Sequence, residues 1–260
     1  MNHTAPGLLH PLQRPGQLSP AAVDMVKVLA LLAMLIDHVN TLLLTQPSPL
    51  MYAAGRMAFP LFTLIWAMNV QHTPERLQKR ASRMWAWAVI TQPVFSLAFA
   101  GHQPWWALNI LFVFAGVTQL LALQYRYGPK GLVSGVVLLA ALAWPLMPAS
   151  YGLPGLLLAT GIVAAIGGKT PGVQCTGAIV SVLALCCLNG ISHLLSQPAD
   201  TLLFAMLPTV VLPLMVVSLS MQLCPDGCPR FMPRHFFYIA YAGHLLALLI
   251  LMQLWGESPC

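Results

Sequence analysis

Asp24–Leu44 reads DMVKVLALLAMLIDHVNTLLL. It is long and apolar enough to cross the hydrocarbon core of a bilayer, which takes about 20 such residues. It nevertheless carries Asp24, Lys27, Asp37 and His38. A charge left unpaired at that depth is expensive, so ionisable side chains inside a membrane span point to a site. The reading of the rest of the chain follows from what it offers those four residues.

Across 260 residues, 58% are hydrophobic and 7% charged, with a mean hydropathy of +0.76. A water-soluble domain carries roughly a quarter charged residues, so this chain cannot cover a surface facing water. Long apolar runs recur, and the short alternating segments of a membrane β-barrel are absent. The sequence therefore predicts an all-α polytopic integral membrane protein. Residues 1–20, broken by Pro6, Pro11, Pro15 and Pro20, read as a flexible cytoplasmic tail. Residues 21–260 read as a single transmembrane helical domain.

Apolar runs fall at about 23–44, 51–70, 81–100, 105–124, 131–148, 152–167, 174–195, 201–222 and 235–255. Nine crossings give a sharp charge pattern. Arg14 precedes the first run, and Arg76, Lys79, Arg80 and Arg83 follow the second. Arg126 and Lys130 follow the fourth, Lys169 the sixth, and Arg230 and Arg234 the eighth. The alternate loops, 45–50, 101–104, 149–151 and 196–200, contain no Lys or Arg. Basic residues stay on the cytoplasmic side, so the N-terminus is expected in the cytoplasm. The excess of 12 Lys and Arg over 6 Asp and Glu is accordingly read as topology, with no direct nucleic-acid binding. Cys186 and Cys187 read as packing residues, and Cys224–Cys228 (CPDGC) as a turn without a second ligand pair, so no metal is expected.

Lys27 and His38 are eleven residues apart, close to three helical turns, and share one face. Asp37 points about 100° away from His38, so each needs a partner on another helix. Arg56, a few residues inside the next run, lies at similar depth on an antiparallel neighbour. An Arg56–Asp37 pair would satisfy both charges and leave His38 free for proton transfer; the alternative is Arg56 reaching out to the head groups. Pro60 should kink that run and free a backbone carbonyl. His72 ends the second run. Arg76, Lys79, Arg80 and Arg83 bind either anionic lipid or the phosphates of a nucleotide-like donor such as a coenzyme A thioester. Asn109 could bond across helices, Tyr151 sits at an outer turn, and Asn189 and His193 lie near the outer end of the seventh run. Tyr241 and His244 share one side of the last run by their spacing. Two intramembrane histidines on different helices raise the prospect of a shared site.

The succession KVLALLAMLIDH, GRMAFPLFTLIWA, HTPERLQKRASRMWAWAVITQPVF, LNILFVF and HFFYIAYAGHLL resembles the TraX family, membrane proteins of conjugative DNA transfer that N-acetylate the pilin subunit. The motifs match over about 24–125 and 226–250, with little match after 155. Asp226-Gly227 and Tyr241-Ala242 stand where the family usually has Asn-Gly and Tyr-Pro. The family is also similar to multi-pass acyltransferases, in which a basic residue precedes an essential His by the spacing of Lys27 and His38. The resemblance implies an acyltransferase of the bacterial inner membrane, with acetyl-CoA as co-substrate and pilin as partner beside lipids and other transfer proteins. It points to Asp37, His38, Arg56, Pro60, His72, Arg80, Asn109, Tyr151, Tyr241 and His244. His38 is then expected as general base, with Asp37 setting the local charge and Arg56 or His244 stabilising the oxyanion. Lys27, Arg76, Lys79, Arg80 and Arg83 would hold the donor. A proton-coupled transporter, a non-catalytic assembly factor that holds pilin in the membrane, and a haem site on His38 and His244 are the alternatives.

Overall fold

Proline supplies the start signals of this fold, because its fixed φ suits the first helical turn and its missing N–H is not needed there. The computed structural model describes residues 18–71, 73–149, 151–188, 194, 196–233 and 236–256. Helix α1 spans Pro20–Leu42, with the Ser19 hydroxyl accepting from the Ala22 N–H at 3.1 Å. Pro20, assigned to the tail by composition, is thus the first residue of α1. There follow α2 (Pro49–Gly55), α3 (Ala58–Gln71), a 3₁₀ turn (Pro74–Arg76) and α4 (Leu77–Ala98). Next come α5 (Leu111–Tyr127), α6 (Pro129–Leu146), α7 (Gly152–Gly167) and α8 (Pro171–Leu188). Helix α9 runs over Pro198–Leu223 with a π turn at Leu202–Met206, and α10 over Phe236–Gly256.

Two expected runs take a different form. The second is broken at Arg56–Met57 into α2 and α3. Pro60 has no N–H to bond the Arg56 carbonyl, and its ring crowds that position, so the helix interrupts there instead of bending smoothly. The fourth becomes helical only at Leu111, because residues 101–110 form an irregular segment held by Asn109 and Gln92.

Among the described residues, five helices are long and apolar enough to cross a membrane: Pro49–Gln71 taken through its break, Pro129–Leu146, Pro171–Leu188, Pro198–Leu223 and Phe236–Leu254. Each corresponds to an expected run, and Gly152–Gly167 is apolar but shorter. Exposed apolar side chains cover the outer helices, including Val133, Val137 and Trp144 on α6, Val182 on α8, Val211 and Met215 on α9, and Ile239 and Leu254 on α10. A bundle with an apolar exterior is built for lipid, in which every backbone group must be satisfied inside its own helix. Cys187 also faces outward instead of packing inside.

The interior is closed by aromatic and small residues. Trp66 donates to Thr118 Oγ1 at 3.1 Å and lies against Phe114. At the α7–α8 crossing, a Cβ on Gly161 would stand 2.7 Å from Ser181 Oγ, and one on Gly177 would stand 2.5 Å from the Ala165 nitrogen. Only glycine lets these backbones approach so closely, the usual device of helices packing without a hydrophobic driving force.

Cross-contacts give each helix a direction. At one end Lys27 lies over Phe237, Ser19 Oγ donates to the Cys224 carbonyl, Arg80 bonds the Asn69 carbonyl, and Gln71 bonds the Val163 carbonyl. At the other end His38 meets Phe99 and His244, the Leu108 N–H reaches the Pro145 carbonyl, and Tyr151 packs on Phe59. With α2 and α3 taken as one pass, successive long helices alternate in direction. Helices α1 and α10 run parallel, Lys27 and His38 facing Phe237 and His244 in the same order.

Candidate active site

The face of α1 that carries His38 points at α10. His38 Nδ1 lies 2.8 Å from His244 Nε2. The two rings are within 13° of parallel with centroids 5.0 Å apart. Because the nitrogens approach far more closely than the centroids, the rings meet edge to edge. His244 Nδ1 in turn lies 3.0 Å from the carbonyl of Ala240, one turn back on its own helix. Phe99 of α4 stands edge-on to His38 at 5.2 Å, and Tyr241 packs on His244 at 5.5 Å. The separation of the two imidazoles is shorter than two metal–nitrogen bonds of about 2 Å laid end to end, so they cannot clasp a haem iron between them.

One residue away on α1, Asp37 faces α2. A single guanidinium nitrogen of Arg56, Nη2, donates to both carboxylate oxygens of Asp37, at 3.1 and 3.2 Å. The guanidinium also lies over the Tyr52 ring, 4.3 Å from its centroid, a cation–π contact one helical turn away. Arg56 is therefore paired and stacked, not extended to the head groups. Its Nε is buried without a hydrogen-bond partner among the described residues. The break between α2 and α3 places Arg56 at the end of a short helix, free to turn toward α1.

These groups share one cavity of about 270 Å³. Asp37 and His38 of α1, Arg56 of α2, Tyr151 before α7 and Tyr241 of α10 line it, with Phe59, Phe95 and Phe99 as its apolar wall. Thr209 of α9 and Leu188 at the end of α8 close the side. Six chain segments, Gln103 of the irregular segment included, thus contribute polar groups to a cleft with an apolar wall, the common form of a small-molecule or catalytic site.

The remaining expected residues lie elsewhere. Asn109 is fully buried but outside the cavity: its Nδ2 bonds the Ala88 carbonyl and Gln92 Oε1, both at 2.9 Å, and its Oδ1 accepts from the Leu111 N–H. It holds the irregular segment to α4 and caps the start of α5, a structural role. Lys27 pairs with Asp24, 3.5 Å away on the same helix, at the opposite end of the bundle. Eleven helical residues separate it from His38, about 16 Å along the axis. Arg80 folds back on the α3–α4 turn, bonding the Asn69 carbonyl and Thr73 Oγ1. Burial first, then the neighbouring Arg83 and Arg76, hold its pKa below the ordinary guanidinium value. Arg76, Lys79 and Arg83 are exposed around it. The structure therefore keeps Lys27, Arg76, Lys79, Arg80 and Arg83 at the end of the bundle opposite the cavity. His72, Asn189 and His193 lie outside the described residues.

Two contributors escape a reading of motifs alone. Tyr52 is marked by its four-residue spacing to Arg56, the offset at which helical side chains meet. Gly55 is marked by nothing but its structure: a Cβ there would stand 2.5 Å from Asp37 Cβ, and closer still to Oδ1.

A family profile described as "TraX protein" matches residues 22–252. Two relatives named Protein TraX, from Escherichia coli and from Escherichia coli strain K12, are 35% and 36% identical over 234 residues. Each alignment covers 90% of this chain and 88% of the relative. The likeness extends through the stretch after 155, where motifs alone showed little. No solved structure matches.

Proposed function

Because the chain belongs to the TraX family, we propose that it is a membrane-embedded acyltransferase of conjugative pilus assembly that N-acetylates the pilin subunit with acetyl-CoA as donor. The observation that carries this reading is the cavity itself. It presents an imidazole, a carboxylate, a guanidinium and three phenols to one small volume beside an apolar wall.

In the reaction, the neutral amino terminus of pilin attacks the thioester carbonyl carbon. A C–N bond forms as the amine proton passes to His38. The tetrahedral adduct collapses, the C–S bond breaks, and the proton returns from His38 to the departing sulfur, giving acetylated pilin and free coenzyme A. Positioned proton transfer of this kind contributes about 10² to 10⁴ in rate. Arg56 lines the cavity as its cation and is suited to a developing oxyanion. Asp37 holds that guanidinium in place.

The same reading orders the membrane. We place the protein in the bacterial inner membrane with its N-terminus on the cytoplasmic side that basic residues favour; nine crossings are supported by the alternating direction of the helices and by the parallel run of α1 and α10. An odd number of passes requires both. Arg76, Lys79 and Arg83 then face the cytoplasm as the landing place for the donor's phosphates, with Arg80 buttressing the turn and Lys27 at the entrance. The donor's long arm has to carry the acetyl group from there to His38. Anionic lipid and other transfer proteins complete its surroundings, and residues 21–260 act as one transmembrane domain.

Intact mass spectrometry of pilin made with and without this protein tests the proposal. A gain of one acetyl group, lost in His38→Ala, is expected. Pilin of unchanged mass but lower yield would replace the enzyme with an assembly factor.

A further inference from the structure

The hydrogen-bond chain through the two histidines admits few proton arrangements. The carbonyl oxygen of Ala240 can only accept, so His244 Nδ1, 3.0 Å away, carries a proton. A neutral imidazole has one N–H, which leaves His244 Nε2 with a lone pair. That nitrogen lies 2.8 Å from His38 Nδ1, in nearly the same plane, so His38 Nδ1 is the donor between them. By the same rule His38 Nε2 holds the free lone pair. The competing arrangement needs a doubly protonated His244. It would add a second cation next to the cavity, where Asp37 is the single lining carboxylate among the described residues and is already engaged by Arg56. An uncompensated buried charge is strongly disfavoured.

We infer that His244 is a positioning residue: its bond to the Ala240 carbonyl fixes the tautomer of His38 and makes Nε2 of His38 the basic nitrogen of the cavity. The anchor is built into α10, because an i to i−4 bond depends on no other element. Both nitrogens of His244 are then occupied, so it has no N–H left for an oxyanion, and that task falls to Arg56 and the cavity's tyrosines. When His38 takes up a proton at Nε2, its Nδ1–H remains held by a neutral acceptor that stabilises the cation. Phe99, edge-on, and Tyr241, against His244, keep both rings from turning. Asp37, Tyr52, Arg56, Tyr151 and Tyr241 are the titratable groups that share the cavity with His38.

The catalytic consequence rests on the acyl-transfer reading, whereas the tautomer does not. ¹⁵N spectra of the full-length protein in detergent, labelled at histidine and assigned against His38→Ala, should show His38 protonated at Nδ1 and bare at Nε2. The opposite tautomer would overturn the inference whatever the protein does. In the acetylation assay, His244→Ala should lower kcat by about 100-fold with KM nearly unchanged. His244→Gln should recover at least tenfold of that, because its amide can donate to the Ala240 carbonyl and accept from His38. A glutamine variant as inactive as the alanine one, with its fold intact by thermal unfolding, would mean that His244 itself exchanges protons. If wild-type protein acetylates nothing, the function falls while the ¹⁵N result still decides the tautomer.

Discussion

Gly55 and Asp37 occupy the same space: the side chain of Asp37 fills the volume where a Cβ on Gly55 would lie. This close approach sets how near α2 lies to α1, and hence where Arg56 meets the carboxylate. Gly55→Ala is expected to destabilise the protein by about 1–3 kcal/mol, the usual effect of overpacking, and to reduce acetylation at least tenfold. Thermal unfolding in detergent and the pilin mass assay read both. An unchanged Tm would show that α2 does not pack this closely.

The Asp37–Arg56 pair should behave as a unit. Removing one partner of a fully buried pair costs about 3–5 kcal/mol; here the side chains retain 21% and 22% exposure, so Asp37→Ala is expected to cost less, about 1–3 kcal/mol. Asp37→Ala combined with Arg56→Met removes both charges and should restore most of that stability while leaving activity lost. A double variant as unstable as the single one would mean that the two charges do not compensate each other.

Residues of the basic end should separate into two kinds. Arg80→Ala loses bonds to Asn69 and Thr73 and should lower Tm; bonds from a charged donor are worth about 1.5–3 kcal/mol each before solvent screening. Replacing Arg76, Lys79 and Arg83 together by Gln should leave Tm in place and raise the donor's KM severalfold, an effect that shrinks as salt is added. Equal donor KM in that variant and wild type would remove the surface cations from donor binding.

Asn109→Ala should act through the fold. It deletes three side-chain hydrogen bonds that tie residue 109 to α4 and α5 and leaves the one from its backbone N–H to Gln92. A loss of about 2 kcal/mol or more is expected, since buried partners are left unsatisfied. KM for both substrates should stay unchanged in the folded fraction. A KM shift without a Tm shift would return Asn109 to the substrate site.

The sequence carried the helical character of the chain because apolar length is a strong signal. It also carried the Asp37–Arg56 pairing, because two opposite charges at similar depth on neighbouring antiparallel helices have few other partners. His38 and His244 could be recognised only as two buried histidines; which nitrogens meet depends on helix rotation, which no spacing within one helix reports. The break at Arg56–Met57 depends on one carbonyl facing the ring of Pro60. Lys27 is a simpler case: Asp24 stands three residues before it, a partner made plain by helical spacing, and the pair forms. Asn109 does bond across to another helix, as its amide implied, but which helix it reaches depends on a fold that spacing does not report.

The parallel pairing of α1 with α10 has a consequence for biosynthesis. His38 is among the first residues to enter the membrane, and its partner His244 lies 206 positions later. During most of translation, the imidazole on the first helix has no partner on the last. The contact between the two histidines is therefore made only when the final helix docks, so a ribosome stalled or a chain cut before α10 leaves His38 without it.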